Sequence, residues 1–213
     1  MNVYRPVQFL TNNYIEQRAL KLLADYQRST GIQLENPPIP VDQIVEAHLD
    51  LNLMYDEILQ DDNERILAYI DPIERTICLN TLHLSLFEEV IGTEAFTLAH
   101  ETGHWELHVM KDGWHQSEFP LGDKDHGTRF LCRANQKDPR EYQANRFAAA
   151  LLMPRYLMLA AIKEKQVDRW DVVRDLARDF GVSKEAFKIR LENLGFIRVR
   201  GNSIQKLSYA HDS

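Results

Sequence analysis

The stretch His100-Glu101-Thr102-Gly103-His104 holds the residues of this sequence best suited to chemistry. On a helix, two histidines four residues apart share one face, and both imidazoles reach a single tetrahedral Zn²⁺. Glu101 sits about 100° further round, placed to hold a metal-bound water without ligating. Phe96, Ala99, Gly103 and Leu107 make the histidine face largely apolar. His100 and His104 are therefore expected to be buried polar groups in need of a partner, which a metal supplies. A glycine inside a helix costs about 1 kcal/mol. A close approach at Gly103 by metal, backbone or substrate would account for it.

A catalytic zinc has three protein ligands and a water, so a third ligand is required. Met110 stands where the metzincin spacing needs a histidine, and the inverted motif is absent. Glu141 is the best candidate, lying one turn before Ala144 on the inward stripe of the following helix, where an unpaired carboxylate is expensive to bury. Asp138-Pro139-Arg140-Glu141 also fits an N-cap to N3 run with Glu141 as a reciprocal capping carboxylate. Asn145, four residues on, is either a hydrogen-bond partner of a ligating histidine or an ordinary polar helix residue. In the expected chemistry zinc brings its water's pKa to about 7 and Glu101 takes the proton. His108, His115, His126, Tyr69 and Tyr142 are the candidate donors to the oxyanion. His108, one turn beyond His104, reads more simply as a structural histidine.

Phe96-Thr97-Leu98-Ala99-His100-Glu101-Thr102-Gly103-His104 with Leu107-His108, then Phe130-Leu131-Cys132-Arg133, Glu141 and Ala144-Asn145-Arg146-Phe147-Ala148-Ala149-Ala150-Leu151-Leu152-Met153-Pro154, resembles the ImmA/IrrE family of zinc metallopeptidases. The resemblance is sharpest from Ile66 to Pro154. It implies a gluzincin-type site with His100, His104 and Glu141 as metal ligands and Glu101 as catalytic base. It also implies a regulatory protease whose substrate is a helix-turn-helix repressor or antitoxin-like partner, often encoded beside it. Thr102 stands where the family more often carries leucine.

Composition sets the frame for that site. The 213 residues are 44% hydrophobic and 27% charged, values of a soluble globular chain able to bury a core. A net charge of −7 encodes no global grip on nucleic acid or anionic lipid. Two cysteines, Cys78 and Cys132, are too few for a disulfide scaffold and read as small buried apolar residues. The longest apolar run, Phe147 to Met153, falls short of the roughly 20 residues of a membrane span. A cytoplasmic protein without a membrane partner is the expectation.

The elements that must position the site follow from periodicity. Ile15, Ala19, Leu22 and Tyr26 predict a helix capped by Asn12 or Asn13 and stopped by Gly31. A period of two between Leu51 and Asn80, with a turn at Asp71-Pro72, predicts a small antiparallel sheet whose strands 66–70 and 76–79 offer an edge for an extended peptide. Ser85 and Glu88 fit a capping box. Residues 96–110 resume a helical pattern, 111–137 read as a long loop, and Asp138-Pro139 opens a strong helix ended by Pro154. Helical patterns follow at 155–166, 169–180 and 184–194, and then a hairpin. The expected fold is α+β: a zincin-like metallopeptidase core at 1–154 and a helical extension at 155–213, helix-turn-helix-like with the hairpin as a wing. Arg190 stands where that motif wants an apolar residue. The alternative function is a DNA-binding or non-cleaving, zinc-stabilised transcriptional regulator.

Overall fold

Helix α1 (Asn12–Thr30) buries Ile15, Ala19, Leu22, Leu23 and Tyr26, the stripe that the spacing predicts. Its cap lies one residue earlier than expected: the Thr11 hydroxyl accepts from the Tyr14 N–H at 3.2 Å. Gly31, at φ 75°, ends the helix by donating its N–H to the Gln27 carbonyl, in a left-handed conformation that glycine adopts without steric cost. The computed structural model describes residues 5, 8–60, 65–109, 130–133 by their backbone, 138–163 and 165–207.

After α2 (Val41–Gln43) and a π turn at Ile44–His48, the chain enters a four-stranded sheet ordered β1-β3-β2-β4. The expected hairpin is present as β2 (Ile66–Asp71) and β3 (Thr76–Asn80), antiparallel with Tyr69 opposite Cys78. The sheet as a whole is mixed, which corrects the antiparallel expectation, because β1 (Asn52–Asp56) runs parallel to β3. The fourth strand, β4 (Phe130–Arg133), lies inside the stretch expected to be loop and pairs antiparallel with β2. Four residues are too few to display a period of two. β2 and β3 are therefore both interior strands. Among the described residues the open edges belong to β1 and β4, so the hairpin itself offers no edge to a peptide.

Asn80, fully buried, closes one end of this sheet. Its amide donates to the carbonyls of Ile66 at 2.8 Å and Ile58 at 3.1 Å, while its oxygen accepts from the N–H groups of Ile58 and Leu82. Asn80 is thus the capping residue of the short 3₁₀ turn Thr81–His83 that leads into α3 (Leu84–Glu89). Ser85 falls inside α3, which corrects the capping-box expectation.

Helix α4 (Thr93–His108) packs against α5 (Pro139–Leu152) and across β2, and α1 covers α5. Leu98 and Ala99 of α4, Phe147 and Leu151 of α5, and Ala68, Ile70, Ile77 and Leu79 of the sheet share one core. Glu106, buried on α4, is met by Arg18 of α1 at 2.7 Å. Asp138 caps α5 as expected, its side chain accepting from the Arg140 N–H at 2.8 Å.

The remaining helices are α6 (Arg155–Ile162), shorter than predicted, α7 (Trp170–Asp179) and α8 (Lys184–Asn193), followed by the hairpin β5 (Ile197–Arg200) and β6 (Ser203–Lys206). Val173, Leu176, Phe180, Phe187, Phe196 and Ile204 join the same continuous core as α1 and α4. Arg190, only 1% exposed, donates to the Met153 carbonyl at 2.9 Å and forms a two-point ion pair with Glu16 of α1. Its place in an otherwise apolar pattern is explained by that pairing. At Gly92 (φ 81°), which opens α4, an added Cβ would lie 2.5 Å from the Gly181 carbonyl oxygen. The α7–α8 turn thus abuts the start of α4 backbone to backbone.

Candidate metal centre

Every residue of α4 from Thr97 to His108 is buried. This helix is enclosed by the sheet and by α5, so its histidines have lost bulk water. The Thr102 hydroxyl folds back onto the Leu98 carbonyl at 2.8 Å, which satisfies this buried polar group. Gly103 faces α5, where an added Cβ would stand 3.0 Å from the Ala144 Cα and 3.2 Å from the Phe147 Cβ. The expected close approach at this glycine is thus made by backbone.

That approach brings Glu141 to the histidines. Its Oε2 lies 3.2 Å from His100 Nε2 and its Oε1 3.3 Å from His104 Nε2, and the two Nε2 atoms are 3.0 Å apart. One ligand atom from each of the three residues falls within 4.8 Å of the others. Of the two readings open for Glu141, the carboxylate is turned to the histidines, and capping at this end of α5 is carried by the Asp138 side chain. The Asn145 side-chain oxygen lies 3.0 Å from His100 Nδ1. It accepts the Nδ1 proton and leaves the Nε2 lone pair directed at Glu141 and His104.

The charges suit a cation. Burial pushes His104 down to about 4, against the pull of Glu141, so the ring is neutral at pH 7, the form that ligates. Burial works to raise Glu141, but the close approach of the His100 and His104 imidazoles outweighs it and holds the carboxyl down to about 2, ionised. Glu101 is wholly buried, and neither carboxylate oxygen has a hydrogen-bond partner among the described residues. Burial, reinforced by the negative charge of Glu141, pushes Glu101 well above the ordinary carboxyl range. Two converging imidazole nitrogens, an ionised carboxylate and an unpaired second carboxylate make a donor set that a divalent ion would satisfy. Nitrogen and oxygen donors of this kind fit zinc.

Of the other expected site residues, His115 and His126 lie outside the described residues. Tyr69 alternates with the core-facing Ala68 and Ile70, on the opposite face of β2. Tyr142 is exposed, and its hydroxyl donates to Asn12 on α1 at 3.4 Å. His108 is buried, with its Nδ1 3.0 Å from His104 Nδ1 and its Nε2 2.9 Å from the Gln143 oxygen. Cys78 is buried as expected, and the side chain of Cys132 lies outside the described part. Gln143 was not among the expected site residues. Its spacing from Phe147 and Ala150, a buried run at i, i+4 and i+7, was the available signal that a polar group points inward.

Fold and donors together define a mixed α+β protein with a buried His-His-Glu cluster, able to hold a metal ion, between two packed helices. The chain belongs to the Peptidase_M78 family, whose model, described as the IrrE N-terminal-like domain, matches residues 48–192. That span covers more than half of the sequence and includes His100, Glu101, His104 and Glu141. Among solved structures, the chain is similar to a Mycobacterium tuberculosis transcriptional regulator, with 19% identity and a TM-score of 0.50. The match covers 94% of this chain and 59% of that protein, and at this identity it speaks for the fold alone. No curated protein matches the chain. Among the described residues, no helix is long and apolar enough to cross a membrane.

Proposed function

We propose that this chain is a zinc-dependent endopeptidase that cuts a regulatory protein, with a helix-turn-helix repressor or antitoxin-like partner as substrate. The observation that carries the reading is the convergence of His100, His104 and Glu141 beside a buried, unpartnered Glu101. His100, His104 and Glu141 hold the ion. When bound, zinc supplies Lewis-acid polarisation of the scissile carbonyl and acidifies the attacking water. Glu101 receives the proton of that water and later delivers it to the leaving amine. The enclosure of α4 keeps bulk water from competing for that carboxylate.

In this reading residues 1–154 form a zincin-like peptidase unit, and 155–213 a helix-turn-helix-like extension that docks the partner. Membership of a peptidase family supports the hydrolase assignment. A second reading, a non-cleaving regulator that touches DNA, is favoured by one observation. Arg198, Arg200 and Lys206 line a cavity on the hairpin together with Ser203 and Gln205, and among the described residues the only carboxylate lining it is Asp168.

Glu101→Gln separates the readings. A small repressor encoded beside this chain, incubated with the protein and Zn²⁺, is expected to yield a defined fragment with the native protein and none with Glu101→Gln, although both bind one zinc. Retention of regulatory activity by Glu101→Gln would count against the peptidase reading. Duplex binding that weakens steeply with salt would establish the second.

A further inference from the structure

Gln143 bridges a backbone carbonyl and an imidazole. Its side-chain nitrogen lies 2.7 Å from the Gln8 carbonyl oxygen, which can only accept, so the NH₂ of the amide must face Gln8. The amide oxygen is then the atom 2.9 Å from His108 Nε2, and that nitrogen must carry a proton. A neutral His108 protonated at Nε2 has a bare Nδ1. This bare nitrogen is the one 3.0 Å from His104 Nδ1, so His104 donates through Nδ1. A neutral His104 protonated at Nδ1 has its lone pair on Nε2, the atom that faces Glu141 and His100. With both rings neutral, each step follows from the one before it. The N-terminal segment is fastened at the same place, because the Arg5 N–H donates to the His108 carbonyl at 2.8 Å.

We infer that His108 and Gln143 are positioning residues for the metal ligand His104: Gln143, oriented by the Gln8 carbonyl, fixes the tautomer of His108, which fixes the tautomer and ring angle of His104. This rests on the metal-centre reading and adds a chain of four residues that reaches from the ion to the N-terminal segment. Partners that orient ligating histidines are commonly carboxylates or backbone carbonyls. Here a second imidazole is interposed, so the amide that sets the tautomer lies two hydrogen bonds from His104 Nε2. His108 is thereby assigned a role behind His104 and removed from the candidates for the oxyanion donor.

The test is a zinc titration of the intact chain by chelator competition, read together with the visible spectrum of the Co²⁺-loaded protein. The native protein is expected to bind one zinc. His108→Leu and Gln143→Leu are each expected to weaken zinc binding by about 10- to 100-fold and to alter the cobalt spectrum. Gln143→Glu, whose carboxylate still accepts from His108 Nε2 although it forgoes the bond to Gln8, is expected to bind zinc more tightly than Gln143→Leu. Because the residues act as one chain, His108→Leu/Gln143→Leu together should bind no more weakly than His108→Leu alone. Unchanged zinc affinity in His108→Leu, or losses that multiply in the double variant, overturns the inference. If His108→Leu does not fold, the contrast between Gln143→Leu and Gln143→Glu decides alone, and equal losses in both overturn it. Failure of the native protein to bind zinc would sink the metal-centre reading itself, a result distinguishable from native binding with indifferent variants.

Discussion

Gly103 of α4 and Ala144 of α5 meet with no side chain between them: a methyl group at Gly103 would stand 3.0 Å from the Ala144 Cα and 3.1 Å from its carbonyl oxygen. The contact sets the distance across which Glu141 reaches His100 and His104. In an ordinary helix interior, glycine to alanine gains about 1 kcal/mol. At this position the sign is expected to reverse, because backbone has to move and overpacking costs about 1–3 kcal/mol. Urea unfolding of Gly103→Ala should show that loss, and chelator competition should show weakened zinc binding, since α5 carries Glu141 away.

Glu101 is a buried carboxylate without a hydrogen-bond partner among the described residues. Replacing it with the neutral, nearly isosteric glutamine is expected to stabilise the metal-free protein at pH 7, by an amount on the order of 1–3 kcal/mol. A differential scan of apo Glu101→Gln against apo native protein checks this, and an unchanged or lower melting temperature would contradict it. With zinc bound the gain should shrink, because the cation already compensates the native carboxylate.

Zinc itself should stabilise the fold by mass action, by about 2.7 kcal/mol when free metal stands at 100 times its dissociation constant. Thermal unfolding with and without a chelator measures the effect. The shift is expected to vanish in His100→Ala and in Glu141→Ala, each of which removes one of the three converging donors.

Arg190 and Glu16 join α8 to α1 across 174 positions of sequence. Removing the guanidinium leaves the Met153 carbonyl without its donor and Glu16 without its cation. Arg190→Ala is therefore expected to cost about 3 kcal/mol. Glu16→Gln, at the better solvated end of the pair, should cost less. Chemical denaturation of both variants orders them, and the reverse order would show that the guanidinium is not the buried partner.

Tyr55 on β1 donates its hydroxyl to Glu94 in the first turn of α4. Burial, then that hydrogen bond and the charge of Glu94, push the phenol up to about 12 from its ordinary 10. A raised pKa means that the contribution is full below pH 10 and is lost as the pH rises toward 12. Stability of the native protein should decline over that window, and Tyr55→Phe should flatten the decline. The phenol is half exposed, so the amplitude will be small.

The convergence of His100, His104 and Glu141 was legible because its pattern is local. His100 and His104 are one turn apart, and Glu141 sits on the inward stripe of a helix announced by Asp138-Pro139. What escaped the sequence is non-local or short. Nothing in Asn52–Asp56 tells that strand to skip its neighbour β2 and run parallel to β3, because pairing is decided by the whole sheet. Phe130–Arg133 is four residues in a polar stretch, too short to register as a strand. Gln8 enters the relay through its carbonyl, a group every residue possesses, so no residue type could signal it. Arg190 was visible as an anomaly, but its partner 174 positions away was not.

Gly92 and Gly181 touch through main chain alone. No side chain stands between them to take up a displacement, so a movement of the turn between α7 and α8 is expected to reach the root of the histidine-bearing helix. Anything that levers that turn also tugs at α4.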